Sequence, residues 1–188
     1  MHRCVTMAIV IEYSTLPWDM DGLSINPNLT WAFVKANKRR EWDWNELSHH
    51  KAITLDIMLQ NFEHRWNFNY ASLNPNITIA MILDNPNLNW NMEYFSTNKT
   101  VTETVVLQYP NVRWSIKGLC NNDNIGWHFM LKYYNINTLD WNNMSMKPFP
   151  PVVSTLRNRS LRLMADNTNI DTTKLYSHLR SELASLLE

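Results

Sequence analysis

Three histidines, His49, His50 and His64, are the residues that could most readily ligate a metal, because imidazole nitrogens are common ligands of transition metals. The adjacent pair falls in a segment between two repeats. No carboxylate or cysteine accompanies it at the spacing of a zinc motif. We therefore predict that these histidines are solvated loop residues, and we expect neither a metal site nor a cofactor.

A short basic run, Lys38-Arg39-Arg40 followed by Glu41, could bind an acidic partner. It occupies a four-residue loop, and the corresponding loops elsewhere in the chain differ in sequence: 14–17, 62–65, 86–89 and 110–113. Variation at a fixed loop is typical of a recognition edge, and equally of an unconstrained surface; both interpretations stay open. The candidate interaction residues are Lys38, Arg39, Arg40, His64, Arg65 and Arg113.

Other chemistry leaves no trace in the sequence. The chain shows no Ser-His-Asp order, no glycine-rich phosphate loop and no column of paired carboxylates, so we predict that it is not an enzyme. The formal net charge is +0 and no column of Arg or Lys exists, which argues against nucleic-acid binding. Cys4 and Cys120 form neither a disulfide framework nor a zinc pattern, which suits a reducing compartment.

The residues just named are placed by an internal repeat of 24 residues. Six units end at a small residue, and the last unit carries one extra residue. These unit ends are Ser24, Ser48, Ser72, Ser96, Cys120 and Ser145. An apolar column recurs at Val5, Leu29, Ile53, Ile77, Val101 and Ile125. Two further columns are apolar: Val10, Val34, Met58, Ile82, Val106 and Met130, and Leu23, Leu47, Ala71, Phe95, Leu119 and Met144. Another column holds a large residue: Trp18, Trp42, Trp66, Trp90, Trp114 and Leu139. Such columns are what stacked units need in order to bury a shared core.

Two columns contain helix N-cap residues, whose short side chains accept hydrogen bonds from free N–H groups. One is Thr6, Thr30, Thr54, Thr78 and Thr102, with Gly126 as its sixth member; the other is Asp19, Asp43, Asn67, Asn91, Ser115 and Asp140. The sequence therefore predicts two short helices per repeat and an all-α fold, an αα-solenoid of six two-helix repeats. The alternative is a strand-containing solenoid of the leucine-rich-repeat kind, since 24 residues is also that repeat's length.

The predicted domains are a repeat solenoid at 1–145, a proline-rich connector at 146–151 and a helical cap or partner-binding arm at 152–188. The apolar run near the N-terminus is in register with the repeat, so we expect no signal peptide. No stretch approaches the roughly 20 apolar residues of a membrane span. The uncovered N-terminal edge of the first repeat suggests that another chain packs there.

The segments NPNLTW (26–31), NPNIT (74–78) and WDWNELS (42–48), together with the six-fold array, resemble a tandem-repeat family of giant DNA viruses of amoebae, the mimivirus-like and marseillevirus-like group. The resemblance covers about residues 3–145. It implies a viral origin and an interaction role, and it brings no catalytic residues.

The expected function is therefore a non-enzymatic viral scaffold that binds viral capsid proteins or host proteins in a hetero-oligomeric assembly. Its expected place is the virion, as a capsid-associated component. The alternative is an intracellular adaptor in the host cytoplasm.

Overall fold

The computed structural model of the chain describes residues 5–135 and 138–147. These two ranges contain twelve α-helices and no strand, which confirms the all-α prediction and gives no support to the strand-containing alternative. The helices are α1 (Met7–Glu12), α2 (Met20–Ser24), α3 (Trp31–Ala36), α4 (Trp44–His49), α5 (Leu55–Gln60), α6 (Phe68–Ala71), α7 (Ile79–Asp84), α8 (Met92–Ser96), α9 (Glu103–Gln108), α10 (Ile116–Asn121), α11 (Trp127–Tyr133) and α12 (Trp141–Ser145).

Each 24-residue repeat forms two of these helices, and both predicted N-cap columns begin them. The hydroxyl oxygens of Thr6, Thr30, Thr54, Thr78 and Thr102 each accept a hydrogen bond from the backbone N–H three residues later. Asp43, Asn67, Asn91, Ser115 and Asp140 cap the second helices in the same way. Helices this short are marginal in water on their own, so capping and packing must hold them.

Two members of the cap columns do not accept such a bond. Asp19 begins α2 without a side-chain cap bond. Gly126 begins α11 and has no side chain to offer; its N–H instead donates to Glu103 Oε1 at 2.9 Å. The sixth repeat therefore lacks the local cap and has instead a bond from the start of its first helix to the repeat before it.

The core consists of the predicted apolar columns. Leu29, Ile53, Ile77, Val101 and Ile125 are buried, and so are Leu23, Leu47, Ala71, Phe95, Leu119 and Met144. The large-residue column differs from the prediction of a buried core column. Trp42 and Leu139 are buried, whereas Trp18, Trp66, Trp90 and Trp114 are half-buried.

The chain divides into two compact units, the first ending at Val101 and the second beginning at Thr102. The first unit holds α1 to α8 and the second holds α9 to α12. The predicted connector (146–151) lies mostly, and the predicted cap or arm (152–188) entirely, outside the described residues. Across 5–135 and 138–147, no helix has both the length and the apolar character that crossing a bilayer requires.

Candidate interaction surface

Buried asparagines join successive repeats of the first unit. Asn74 Nδ2 lies 2.9 Å from Ser48 O, 3.1 Å from His50 O and 3.0 Å from Ile53 O. Asn98 has the same arrangement one repeat later and donates to Ser72 O and Asn74 O. Buried carbonyl groups need donors, and one carboxamide supplies several of them. We call the column of residues 26, 50, 74 and 98 the polar ladder.

The ladder asparagines also shape their own turns. Asn26 Oδ1 accepts the N–H of Asn28 at 2.9 Å, and Asn74 Oδ1 accepts the N–H of Asn76 at the same distance. Asn74 has no exposed surface. The side chain is therefore used at both ends, once within its repeat and once toward the repeat before.

His50 is the ladder's one member in the first unit that is not asparagine, and the prediction that it is a solvated loop residue was wrong. Its exposed fraction is 7%. Nε2 lies 2.9 Å from Asn26 O, and Nδ1 accepts the N–H of Ala52 at 3.1 Å. The prediction was based on the sequence neighbours of His50. The relevant signal was its repeat position, which it shares with Asn26, Asn74 and Asn98. His49 is half-buried at the end of α4, and its Nε2 lies 3.3 Å from Glu46 Oε2.

A second set of contacts runs through the serines at the unit ends. Ser48 Oγ donates to Trp44 O at 2.6 Å and accepts the N–H of Asn67, the first residue before α6, at 2.8 Å. Ser24 and Ser72 make the equivalent contacts to Asp43 and Asn91. In the second unit Cys120 holds this position, and its thiol is hydrogen-bonded to the backbone of Asp140. Burial raises the pKa of the Cys120 thiol, so the thiolate needed for nucleophilic chemistry is disfavoured.

In the second unit Asn122 stands in the same column, buried and accepting the N–H of Asn124 at 2.8 Å. The column's following position, in the repeat with one extra residue, is held by Lys147. Lys147 Nζ donates to Ile125 O at 2.6 Å, to Leu119 O at 3.3 Å and also to Asn122 O. Burial lowers the pKa of Lys147, while the nearby Cys120, Asp123 and Glu103 oppose that shift. The ammonium group takes over the carboxamide's function, because it too can donate several hydrogen bonds at once.

The six candidate interaction residues fall into two groups. Lys38, Arg39, Arg65 and Arg113 are exposed. Arg40 and His64 are half-buried at the same position of adjacent repeats, and both pack on the repeat before: Arg40 reaches Met20 Sδ at 4.0 Å, and His64 stacks on Trp44 with ring centroids 4.4 Å apart. The loop is therefore only partly available to a partner.

His64 belongs to an aromatic cluster. The ring of Trp31 lies 5.8 Å and that of Trp66 lies 6.0 Å from the imidazole, both edge-on. Trp44 and Trp66 meet at 5.0 Å. All four rings are half-buried. In the next repeat the position of His64 is held by Leu88. The cluster's most direct role is packing between repeats.

A column of exposed apolar side chains, which was not predicted, lies on the first helices of the repeats. In the first unit Ile11, Leu59 and Leu83 are 63%, 40% and 49% exposed, and Lys35 occupies the same position in the second repeat. In the second unit Leu107 is 50% exposed at this position. The 24-residue spacing could have revealed the column, but periodicity alone does not tell an outward leucine from a core one.

Depressions in the described residues have mixed polar and apolar linings. A cavity of about 290 Å³ in the second unit is lined by Cys120, Asp123, Trp127, Asn143 and Lys147 among others. A shallower one in the first unit is lined by Asp19, Asp21, Asp43 and Glu46 with Gly22 and Ile25. Within 5–135 and 138–147, no three His, Cys, Asp or Glu side chains are grouped as metal ligands would be.

Comparison with known proteins gives no relative: no family model, no curated protein and no solved structure matches the chain.

Proposed function

We propose that this chain is a non-enzymatic scaffold that binds other proteins, with its six repeats stacked as an αα-solenoid. The observation that carries this proposal is the outward apolar column, in which leucine recurs at the same position of several repeats while half of its surface stays in water. Single exposed leucines are ordinary on a protein surface. Leu59 and Leu83, in adjacent repeats of the first unit, offer a partner repeated apolar side chains, and exposed apolar patches often mark protein–protein contacts.

The polar residues support the same proposal by their location. The ladder asparagines and the serines that end the repeats are buried and hydrogen-bonded between repeats; Asn74 and Ser48 are examples. They hold the stack together and are not free to bind substrate or ligand. The side chains presented outward include the leucine column and the charged loop residues Lys38, Arg39, Arg65 and Arg113.

We propose further that the partners are viral capsid proteins and that the scaffold is a hetero-oligomeric, capsid-associated component of a virion. This rests on the resemblance of NPNLTW, NPNIT and WDWNELS to the repeats of giant amoebal viruses. An adaptor of the host cytoplasm, bound to host or viral proteins, is the second candidate.

Crosslinking and mass spectrometry on intact, salt-washed virus particles would test the place of action. Crosslinks from the exposed Lys38 or Lys99 to capsid proteins would support the virion component and name its neighbours. A protein that is missing from particles, yet recovered from infected-cell lysate in complex with another protein, would support the adaptor. Absence of any protein complex in both would contradict the scaffold proposal.

The binding surface is tested by substitution. Leu59→Lys and Leu83→Lys introduce the residue that the second repeat has as Lys35, so the helices should tolerate them. Loss of the partner with the double variant, and its retention with the loop variant Arg39→Glu plus Arg65→Glu, would assign binding to the leucine column. The reverse result would assign it to the loops. Asn87→Lys, at an exposed position, is the control for an added charge.

A further inference from the structure

His50 reproduces the hydrogen bonds of a ladder asparagine with different atoms. In asparagine, Oδ1 accepts the N–H two residues later and Nδ2 donates to carbonyl groups of the preceding repeat, as Asn74 does. In His50, Nδ1 accepts the N–H of Ala52, and Nε2 faces Asn26 O. The backbone donor at Nδ1 and the carbonyl acceptor at Nε2 together require one state of the ring. It is the neutral tautomer with its proton on Nε2.

An asparagine cannot gain a proton near neutral pH, but a histidine can. Protonation of His50 would put a hydrogen on Nδ1, pointing at the N–H of Ala52, and would bring a charge into a site that is 7% exposed. The hydrogen bond would be replaced by repulsion between two donors. We propose that His50 makes the contact between the second and third repeats acid-sensitive, so that this part of the stack loosens in mildly acidic medium while the asparagine contacts hold.

The residues around His50 include no carboxylate that would compensate for the extra charge. Its titratable sequence neighbours are His49 and Lys51. Its hydrogen-bonding partners in the adjacent repeats, Asn26 and Asn74, lie in segments without a titratable side chain, 25–29 and 73–77. Burial, followed by Lys51 and His49, lowers the pKa of His50, and the hydrogen bond to Asn26 opposes this only in part. The geometry and the charges therefore act in the same direction.

The sign of the effect follows from linkage. The folded protein binds the proton less readily than the unfolded chain, in which a histidine has a pKa of about 6.5. Stability is therefore complete above about pH 6.5 and falls as the pH decreases toward the folded-state pKa. One proton changes the unfolding equilibrium constant by at most about tenfold per pH unit in that window.

The experiment compares urea unfolding of the whole chain, followed by tryptophan fluorescence, between pH 7.5 and 5. His50→Asn restores the ladder residue found at positions 26, 74 and 98. As the pH falls below about 6.5, we expect the unfolding equilibrium constant of the wild type to rise relative to that of His50→Asn. The rise should be at most about tenfold per pH unit. His128→Asn, at an exposed position of α11 outside the ladder, is the control and should keep the wild-type sensitivity. Equal pH dependence of the wild type and His50→Asn would overturn the proposal.

Two further measurements decide the matter should His50→Asn not fold. Asn74→His moves the same device to the next contact and should increase the pH dependence. Nuclear magnetic resonance of the folded wild type should show a His50 ring that stays in the Nε2–H form below pH 6.5. A His50 that titrates at or above about 6.5 in the folded protein would refute the idea.

Discussion

The polar ladder and the outward leucine column lie in the same repeats and reverse the usual distribution of polar and apolar residues. Asn74 and Ser48 are fully buried, whereas Leu83 keeps 49% of its surface exposed. The buried polar groups are each bonded, so their burial does not leave carbonyl or N–H groups without partners. In this chain, polarity alone therefore does not separate structural from interacting positions. Hydrogen-bond partners and exposure do.

The largest effect is expected from removing a ladder carboxamide. Asn74→Ala deprives Ser48 O, His50 O and Ile53 O of their common donor and the N–H of Asn76 of its acceptor. His50 O keeps the N–H of Ile53 and Ile53 O keeps Asn76 Nδ2, whereas Ser48 O and the N–H of Asn76 lose the bond that the side chain gives them. A buried polar group left without a partner costs about 1–3 kcal/mol, so for these two groups we expect a total loss of about 3 kcal/mol or more in the free energy of unfolding.

Urea unfolding of Asn74→Ala measures this loss, and Asn87→Ala is its control. Asn87 is an exposed asparagine in the loop after α7, where a surface substitution should change stability by no more than about 0.5 kcal/mol. Equal losses for the two variants would show that the ladder does not stabilise the stack.

The sequence predicted much of the fold because the caps and apolar columns recur at a fixed interval. The threonine caps and the buried columns of Leu29 and Leu47 were confirmed. The ladder was not predicted, because asparagine before proline at Asn26 and Asn74 is also the residue expected in a turn. Periodicity identified the positions; which partner each side chain meets depends on contacts about 24 residues away, as between His50 and Asn26.

Ser48→Ala should have the next largest effect. It removes the acceptor of the Asn67 N–H at the start of α6, and we expect a loss of about 2 kcal/mol. Ser48→Cys is the informative companion, because Cys120 occupies this position in the fifth repeat. A thiol can still accept a weak hydrogen bond, so Ser48→Cys should lose less stability than Ser48→Ala. Thermal unfolding of the two variants would reveal the order; a less stable cysteine variant would contradict it.

A smaller effect is expected at the half-buried tryptophans. The indole N–H of Trp90 donates to Asn85 O at 2.9 Å and so closes the turn between α7 and α8. The same bond joins Trp66 to Asn61 O. Trp90→Phe keeps an aromatic ring but not the donor, and we expect a loss of about 1 kcal/mol. Chemical unfolding followed by circular dichroism avoids the change in fluorescence. An unchanged midpoint would mean that ring packing alone sets the turn.

The smallest effect on stability should come from the outward column. Leu83→Lys replaces a side chain whose apolar stem can still lie along α7 while its charge reaches water, as snorkelling lysines do. Lysine near a helix C-terminus is also favourable for the helix dipole. We therefore expect a change within about 0.5 kcal/mol in urea unfolding, against about 3 kcal/mol for Asn74→Ala. A loss of more than about 2 kcal/mol would show that Leu83 is a core residue, and the outward column would then no longer support partner binding.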